Sequence, residues 1–275
     1  MISSRAVRPA RILVWCLLLT GGLAMAAPIL FMLTTSLKDA SQVYDLKFIP
    51  VSPSLGNYKS ILADGRFARW FLNSFGIALI VTLSNVFFDS LVGYTLAKFR
   101  FRGRRLVFIA ILSTLMIPTE MLVIPWYLMA SSLGWTDSYW GIMFPGMMTA
   151  FGTFLMKQFF ETVPDDFLEA ARIDGMGELT IWWKVAMPLV TPALSALAIF
   201  TFLGNWTAFF WPLIVTTSRD LYTLPVGLSS FAVEQQVQWE MIMTGASLAT
   251  IPTLLVFLFL QRYIVRGIVM AGLKG

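Results

Sequence analysis

The chain has 275 residues, of which 57% are hydrophobic and only 13% charged, with a mean hydropathy of +0.75. A soluble domain of this size carries about 25% charged residues, so this chain cannot cover a water-facing surface and reads as an all-α polytopic membrane protein. Its net charge of +5 lies in clusters beside apolar runs, which indicates membrane orientation and no nucleic acid partner; with no histidine and one cysteine in an apolar run, histidine catalysis, a disulfide framework and a Cys/His metal site are excluded.

The first predicted span covers about 12–33, behind Arg5, Arg8 and Arg11. Ala24-Met25-Ala26 resembles a signal-peptide cleavage site, but the apolar run continues through Pro28, Ile29, Leu30 and Phe31. It is long enough to cross about 30 Å of hydrocarbon, so a retained helix is expected. A polar loop is expected over 34–69, then a second span over 70–96. Lys98, Arg100, Arg102, Arg104 and Arg105 follow without an acid among them and mark a cytoplasmic loop, with an RNA- or lipid-binding patch as the competing reading.

Spans three to six are predicted over 106–128, 139–159, 190–215 and 242–265, with a long polar loop at 161–192 between the fourth and fifth. Six spans place both termini on one side. That side holds fourteen of the 20 lysines and arginines and the other six, so both termini and the 161–192 loop are expected in the cytoplasm. Trp70, Trp126, Trp135, Trp140, Trp211 and Trp239 fall near the predicted outer boundaries, as an aromatic belt would place them.

The 161–192 loop carries Glu161, Asp165, Asp166, Glu169, Asp174 and Glu178. Pro164 with Asp165 and Asp166 can start a helix, and Gly175 can end it in a left-handed cap. A second short helix is expected from about Glu178 to Ala186, ended by Pro188 and Pro192. Two adjacent small residues, Ala170 and Ala171, would let the first helix sit deep in a partner's cleft. Glu169 would then meet a basic group there, with Arg172 one turn away to hold it. The alternative, an interfacial helix lying on headgroups, is opposed by the loop's acidity, because anionic lipid repels carboxylates.

The spacing Glu169-Ala170-Ala171, three residues, Gly175, nine residues, Val185, one residue, Met187-Pro188 resembles the EAA loop of ABC-importer permeases, with Val and Met at its Ile and Leu positions. Further stretches resemble the carbohydrate branch, the maltose and glycerol-3-phosphate type. These are Asn57-Tyr58, Asn73-Ser74, Tyr94-Thr95-Leu96-Ala97-Lys98-Phe99, and the end from Arg266-Gly267 to Lys274-Gly275. The resemblance implies a single permease domain in a bacterial or archaeal plasma membrane. It implies pairing with a second, homologous permease subunit, two ATPase subunits and an extracytoplasmic solute-binding protein. ATPase coupling would fall to Glu169, Ala170, Ala171, Arg172, Asp174, Gly175 and Pro188.

The chain has no GxxxxGK[ST] phosphate loop, no Gly-x-Ser-x-Gly elbow and no metal-ligand cluster, so no cofactor and no metal are expected in it, and ATP belongs to a partner. Candidates for a solute pathway are Asp89, Glu120, Asn205, Trp206 and Thr207. Asp89 lies inside the second span, where a carboxylate lines a cavity or makes a structural hydrogen bond to a neighbouring helix. Glu120 lies between Pro118 and Pro125, in a kinked cavity-lining segment or an outer loop. Asn205-Trp206-Thr207 combines a flat ring with amide and hydroxyl groups, which suits a sugar and equally suits helix packing.

Overall fold

The computed structural model describes residues 7–45, 47–232 and 237–272, with side chains over 11–45, 47–232 and 237–259. Arg5 and the Lys274-Gly275 end fall outside the described residues, as do the side chains of Arg8 and Arg266. Every regular element among the described residues is helical. Three helices have the length and apolarity to cross a membrane: Arg11–Ser36 within helix α1 (Val7–Ser36), helix α3 (Gly65–Lys98), and Trp239–Phe259 within helix α14 (Trp239–Gly272). Two further apolar pairs pass the same test together but are sharply bent, by 94° and 87°.

The apolar runs expected as spans over 106–128, 139–159 and 190–215 are each interrupted, the first where Pro118 and Pro125 led a kink to be expected. The first is split into α4 (Arg104–Thr114) and α5 (Val123–Ser132), joined by a turn and a 3₁₀ segment at Thr119–Leu122. Pro118 explains the split: it offers no amide to the ladder and forces Ile117 out of the helical region. The last turn of α4 tightens accordingly, with Leu115, Met116 and Ile117 each donating three residues back.

The second is broken between α6 (Tyr139–Met143), a 3₁₀ turn at Phe144–Gly146, and α7 (Ala150–Glu161). The third begins after a bend of 87° at Val190 and stops at Trp206; α11 (Thr191–Trp206) and α12 (Phe210–Val215) are separated at 207–209.

The described residues form two compact units, those within 1–67 with 228–250 and those within 68–227 with 251–275. In the first, the loop expected over 34–69 contains α2 (Gly56–Ala63) and the start of α3. Asn57 donates to the carbonyls of Ser36 and Lys38 at 3.0 and 2.9 Å, and the Tyr58 hydroxyl lies 2.7 Å from Ser36 Oγ. Lys38 is 1% exposed, its ammonium donating to the carbonyls of Asp45 and Lys47. Asn57 thereby satisfies carbonyls left free where α1 ends, and Lys38 ties the loop that follows.

In the second unit the core gathers Tyr94, Met156, Phe160, Leu168, Ala171, Ile181, Trp182 and Leu197. Trp70 has its ring buried against Gly227, and its Nε1 donates to the Arg219 carbonyl at 2.8 Å.

Candidate functional site

The polar loop is a folded element. Helix α8 (Asp165–Ile173) starts at Pro164, and Asp165 and Asp166 sit in its first turn, where free amides favour carboxylates. It ends in a Schellman cap: Met176 N donates to Ala171 O and Gly175 N to Arg172 O, both at 3.0 Å. Gly175 takes φ +81°, a left-handed value that costs glycine nothing. Leu168 and Ala171 face the core, whereas Phe167, Glu169, Ala170, Arg172, Ile173 and Asp174 are exposed. Only one alanine of the pair is thus open to a partner, since Ala171 packs inside this chain.

Two expectations are corrected after the glycine. Arg172 does not hold Glu169; it pairs with Glu178 across the Gly175 turn, Nε to Oε1 at 2.7 Å. That pair joins α8 to α9 (Glu178–Ile181), and it pushes the guanidinium pKa up. Nor does Pro188 end the second helix. A π-turn at Trp182–Ala186 carries the chain into a last helical turn, α10 (Met187–Leu189), with Met187 N donating five residues back to Trp182 O. The wider turn accommodates a proline whose ring would crowd a regular helix. The bend falls instead at Val190, and Pro192 sits in the first turn of α11.

Helix α3 holds this loop. Lys98, whose side chain is 7% exposed, donates to Val163 O at 2.5 Å and pairs with Asp165 at 2.6 Å. One turn earlier Tyr94, 1% exposed, reaches Glu178 at 3.4 Å. Tyr94, Lys98 and Glu178 were not singled out as site residues from sequence. The usable signal was a phenol and an ammonium four residues apart at the end of a span, facing an acidic loop.

The Lys98 hydrogen bond and charge hold the Asp165 carboxyl below its ordinary 3.8. A depressed acid contributes stability above its unfolded pKa and loses it as pH falls through the folded value. Amide protection factors over 163–173, exchange rates normalised to the intrinsic rate at each pH, are therefore expected to stay flat from neutrality to about pH 5 and to fall only below about pH 4. A fall already near pH 6 would contradict the tie.

The same helix also secures the break before α7. Positions 85, 89 and 93 share a face of α3. Ser84 donates to Met147 O and Asn85 to Gly146 O, both at 2.6 Å. Asp89 is fully buried; its Oδ1 accepts Thr149 N at 3.0 Å and its Oδ2 accepts the Thr149 hydroxyl at 2.8 Å. Thr149 Oγ1 in turn caps α7 by accepting Gly152 N at 3.0 Å. Gly93 lies against the α7 backbone, where an added Cβ would come within 2.8 Å of Lys157 N. Polar side chains thus replace the hydrogen bonds that the break removes, as apolar surroundings require. Gly146 and Pro145 were the sequence signs of this break.

The remaining pathway candidates lie apart from the loop. Trp206 is 3% exposed, stacked on Phe202 at 6.1 Å and edge-on to Phe71 at 5.2 Å. Asn205 is half-buried, donating to Thr201 O at 2.8 Å, and its Oδ1 lies close to Gly146. Thr207 is exposed and donates to Leu203 O at 2.8 Å; Glu120 is exposed on the 3₁₀ segment before α5. Among the described residues no group of acids, cysteines or histidines could hold a metal ion.

Residues 89–270 match the family model of the binding-protein-dependent transport system inner membrane component. The chain belongs to that family. This permease is similar to the arabinooligosaccharides transport system permease protein AraQ of Bacillus subtilis (strain 168), with 34% identity over 90% of each chain. It is also similar to the sn-glycerol-3-phosphate transport system permease protein UgpE of Pectobacterium atrosepticum, with 35% identity over 92% of this chain and 94% of that one. A chain of a bacterial ABC transporter involved in the import of the acidic polysaccharide alginate superposes with TM-score 0.86 at 27% identity, covering 96% of this permease and 99% of its own length. The permease is therefore an inner membrane transport component, not an enzyme, and its helices suit that membrane. The matched region contains the whole polar loop, together with Asp89, Tyr94 and Lys98.

Proposed function

We propose that the permease is one of two unlike membrane subunits of an ABC importer for a sugar or oligosaccharide. It crosses the membrane six times with both termini cytoplasmic, each bent or broken segment counting as one crossing. Two ATPase subunits bind the ATP, and an extracytoplasmic binding protein delivers the solute. The observation that carries the reading is α8 itself. It presents Asp166, Glu169, Phe167 and Ile173 outward, with Asp174 at its end, while Lys98 ties its first turn to a membrane helix and Tyr94 of that helix holds Glu178 at the start of α9. That is the form of a coupling helix, and the spacing from Glu169 to Pro188 supports it.

ATP closes the ATPase pair, the docked loop moves with its ATPase, and the attached helices change their opening. ATP binding energy thereby becomes a preference for one transport state, which is coupling by differential affinity. For the solute, the relatives that transport arabinooligosaccharides and import alginate favour a saccharide. The relative named for sn-glycerol-3-phosphate favours a smaller phosphorylated polyol as the second reading. Of the pathway candidates, Glu120, Asn205 and Thr207 keep accessible polar atoms and are assigned to the solute. Asp89 and Trp206, committed inside the fold, support them.

The test is reconstitution with the ATPases and binding protein. Uptake of labelled oligosaccharides driven by ATP is the expected result, and replacing residues 164–188 should release the ATPases from the purified complex. Retention of the ATPases without that loop would refute the coupling assignment, and uptake of glycerol-3-phosphate alone would select the second reading.

A further inference from the structure

We propose that the turn between α3 and α4 is a binding site for the phosphate of an anionic phospholipid. Arg100, Phe101, Gly103, Arg104 and Arg105 line a bowl of about 440 Å³ that opens to the surface. Gly103, at φ +85°, curls the chain so that the three guanidinium-bearing residues surround one space rather than spreading along a helix. Arg104 is braced by a hydrogen bond from Nη1 to Phe99 O at 3.2 Å.

Arg100, Arg104 and Arg105 make no ion pair among the described residues. The acid within reach of Arg100 is Asp165, and Lys98 already holds it. The first turn of α4 carries no acid and has no side-chain cap, so its amides add to the positive field. Three forked cations around one cavity suit the oxygens of a phosphodiester.

The surroundings identify the rest of the ligand. Leu106, Val107 and Ile109, which follow the bowl along α4, are 72%, 44% and 50% exposed, and Phe101 in its lining is 43% exposed. A soluble anion has no use for that apolar strip, whereas a phospholipid lays its acyl chains along it once its headgroup is seated. The inference rests on the membrane placement proposed above. It adds to charge-based orientation, which needs cations near the membrane but not a cavity.

The experiment uses the purified complex with its ATPases, stripped of lipid in a neutral detergent, and reads bound lipid by native mass spectrometry. Phosphatidylglycerol should be retained and phosphatidylcholine not. Arg100→Gln/Arg104→Gln/Arg105→Gln should weaken phosphatidylglycerol binding about a hundredfold, from three cations near an anionic headgroup. Arg102→Gln, outside the bowl, should leave it unchanged.

Because removing three cations can disturb membrane insertion, Arg100→Lys/Arg104→Lys/Arg105→Lys serves as the second variant. It keeps the charge, loses the forked geometry, and should bind about tenfold more weakly. Equal retention of both lipids, no effect of either triple variant, or full displacement by inorganic phosphate would overturn the proposal. So would loss of ATPases with lipid retained, which would make the bowl a protein contact. A complex that assembles and transports yet keeps no phosphatidylglycerol refutes this site alone; one that never gathers its ATPases refutes the importer reading.

Discussion

Gly175→Ala is expected to weaken binding of the permease to its ATPases about 5- to 30-fold and to lower uptake accordingly, with its amount in the membrane unchanged. The space around Gly175 is open, so an added methyl meets no neighbour; its whole cost lies in the backbone. A side chain held at φ +81° costs about 1–2 kcal/mol. The permease can avoid that strain by letting the cap unwind, which frees Met176 N and loosens the Arg172–Glu178 pair. Docking then has to restore the capped form and bear the strain itself. Gly175→Asn separates backbone from packing, because asparagine tolerates the left-handed region and should recover most of the binding. Equal affinity for all three forms, measured by titrating ATPase onto the reconstituted permease, would show that the cap plays no part in docking. Glu169→Lys is the companion change: Glu169 is exposed without an ion pair among the described residues, so its reversal should weaken docking without altering thermal stability.

Asp89→Ala should destabilise the permease by about 2–3 kcal/mol, whereas Asp89→Asn should cost less than about 1 kcal/mol. Alanine strands the Thr149 amide in an apolar setting and leaves α7 without the carboxylate that positions its cap. Asparagine restores every bond by a permuted pattern. Its Oδ1 accepts Thr149 N, its Nδ2 donates to Thr149 Oγ1, and the hydroxyl turns to Asn85 Oδ1, already 3.1 Å away. Unfolding in mixed detergent measures the first effect. Uptake measures the second: a permease that needs a negative charge at this position would be stable but inactive as the asparagine form, and that outcome would return Asp89 to the solute pathway.

Sequence was a good guide wherever structure is made locally. Pro164, the paired aspartates and Gly175 are start and stop signals acting over a few residues, and α8 runs between them as expected. Pro118 and Pro125 marked the break in the third apolar run, but the one in the fourth was not legible in the same way. An apolar run reads as one helix unless something supplies new partners for the freed backbone. At 146–149 those partners are Ser84, Asn85 and Asp89, about 60 residues earlier in the chain. Arg172 was misassigned for a related reason. Helical spacing points it to Glu169, but the turn at Gly175 swings Glu178 closer. In the candidate site, spacing identified the outward face of the loop, while its inward anchorage by Tyr94 and Lys98 emerged only from packing.

The stapling of α3 has a mechanical consequence. From Lys98 to Ser84 the helix is about 21 Å long, at about 1.5 Å per residue. It is pinned to the 146–178 segment at Ser84, Asn85, Asp89, Tyr94 and Lys98, so the assembly has few ways to bend between its ends. It is a lever with its handle at α8 and its tip at the Gly146 break. A tilt of about 10° about the handle sweeps the tip through an arc of about 4 Å, by the same helix geometry. That displacement is close to the width of one side chain, and it arrives beside Asn205.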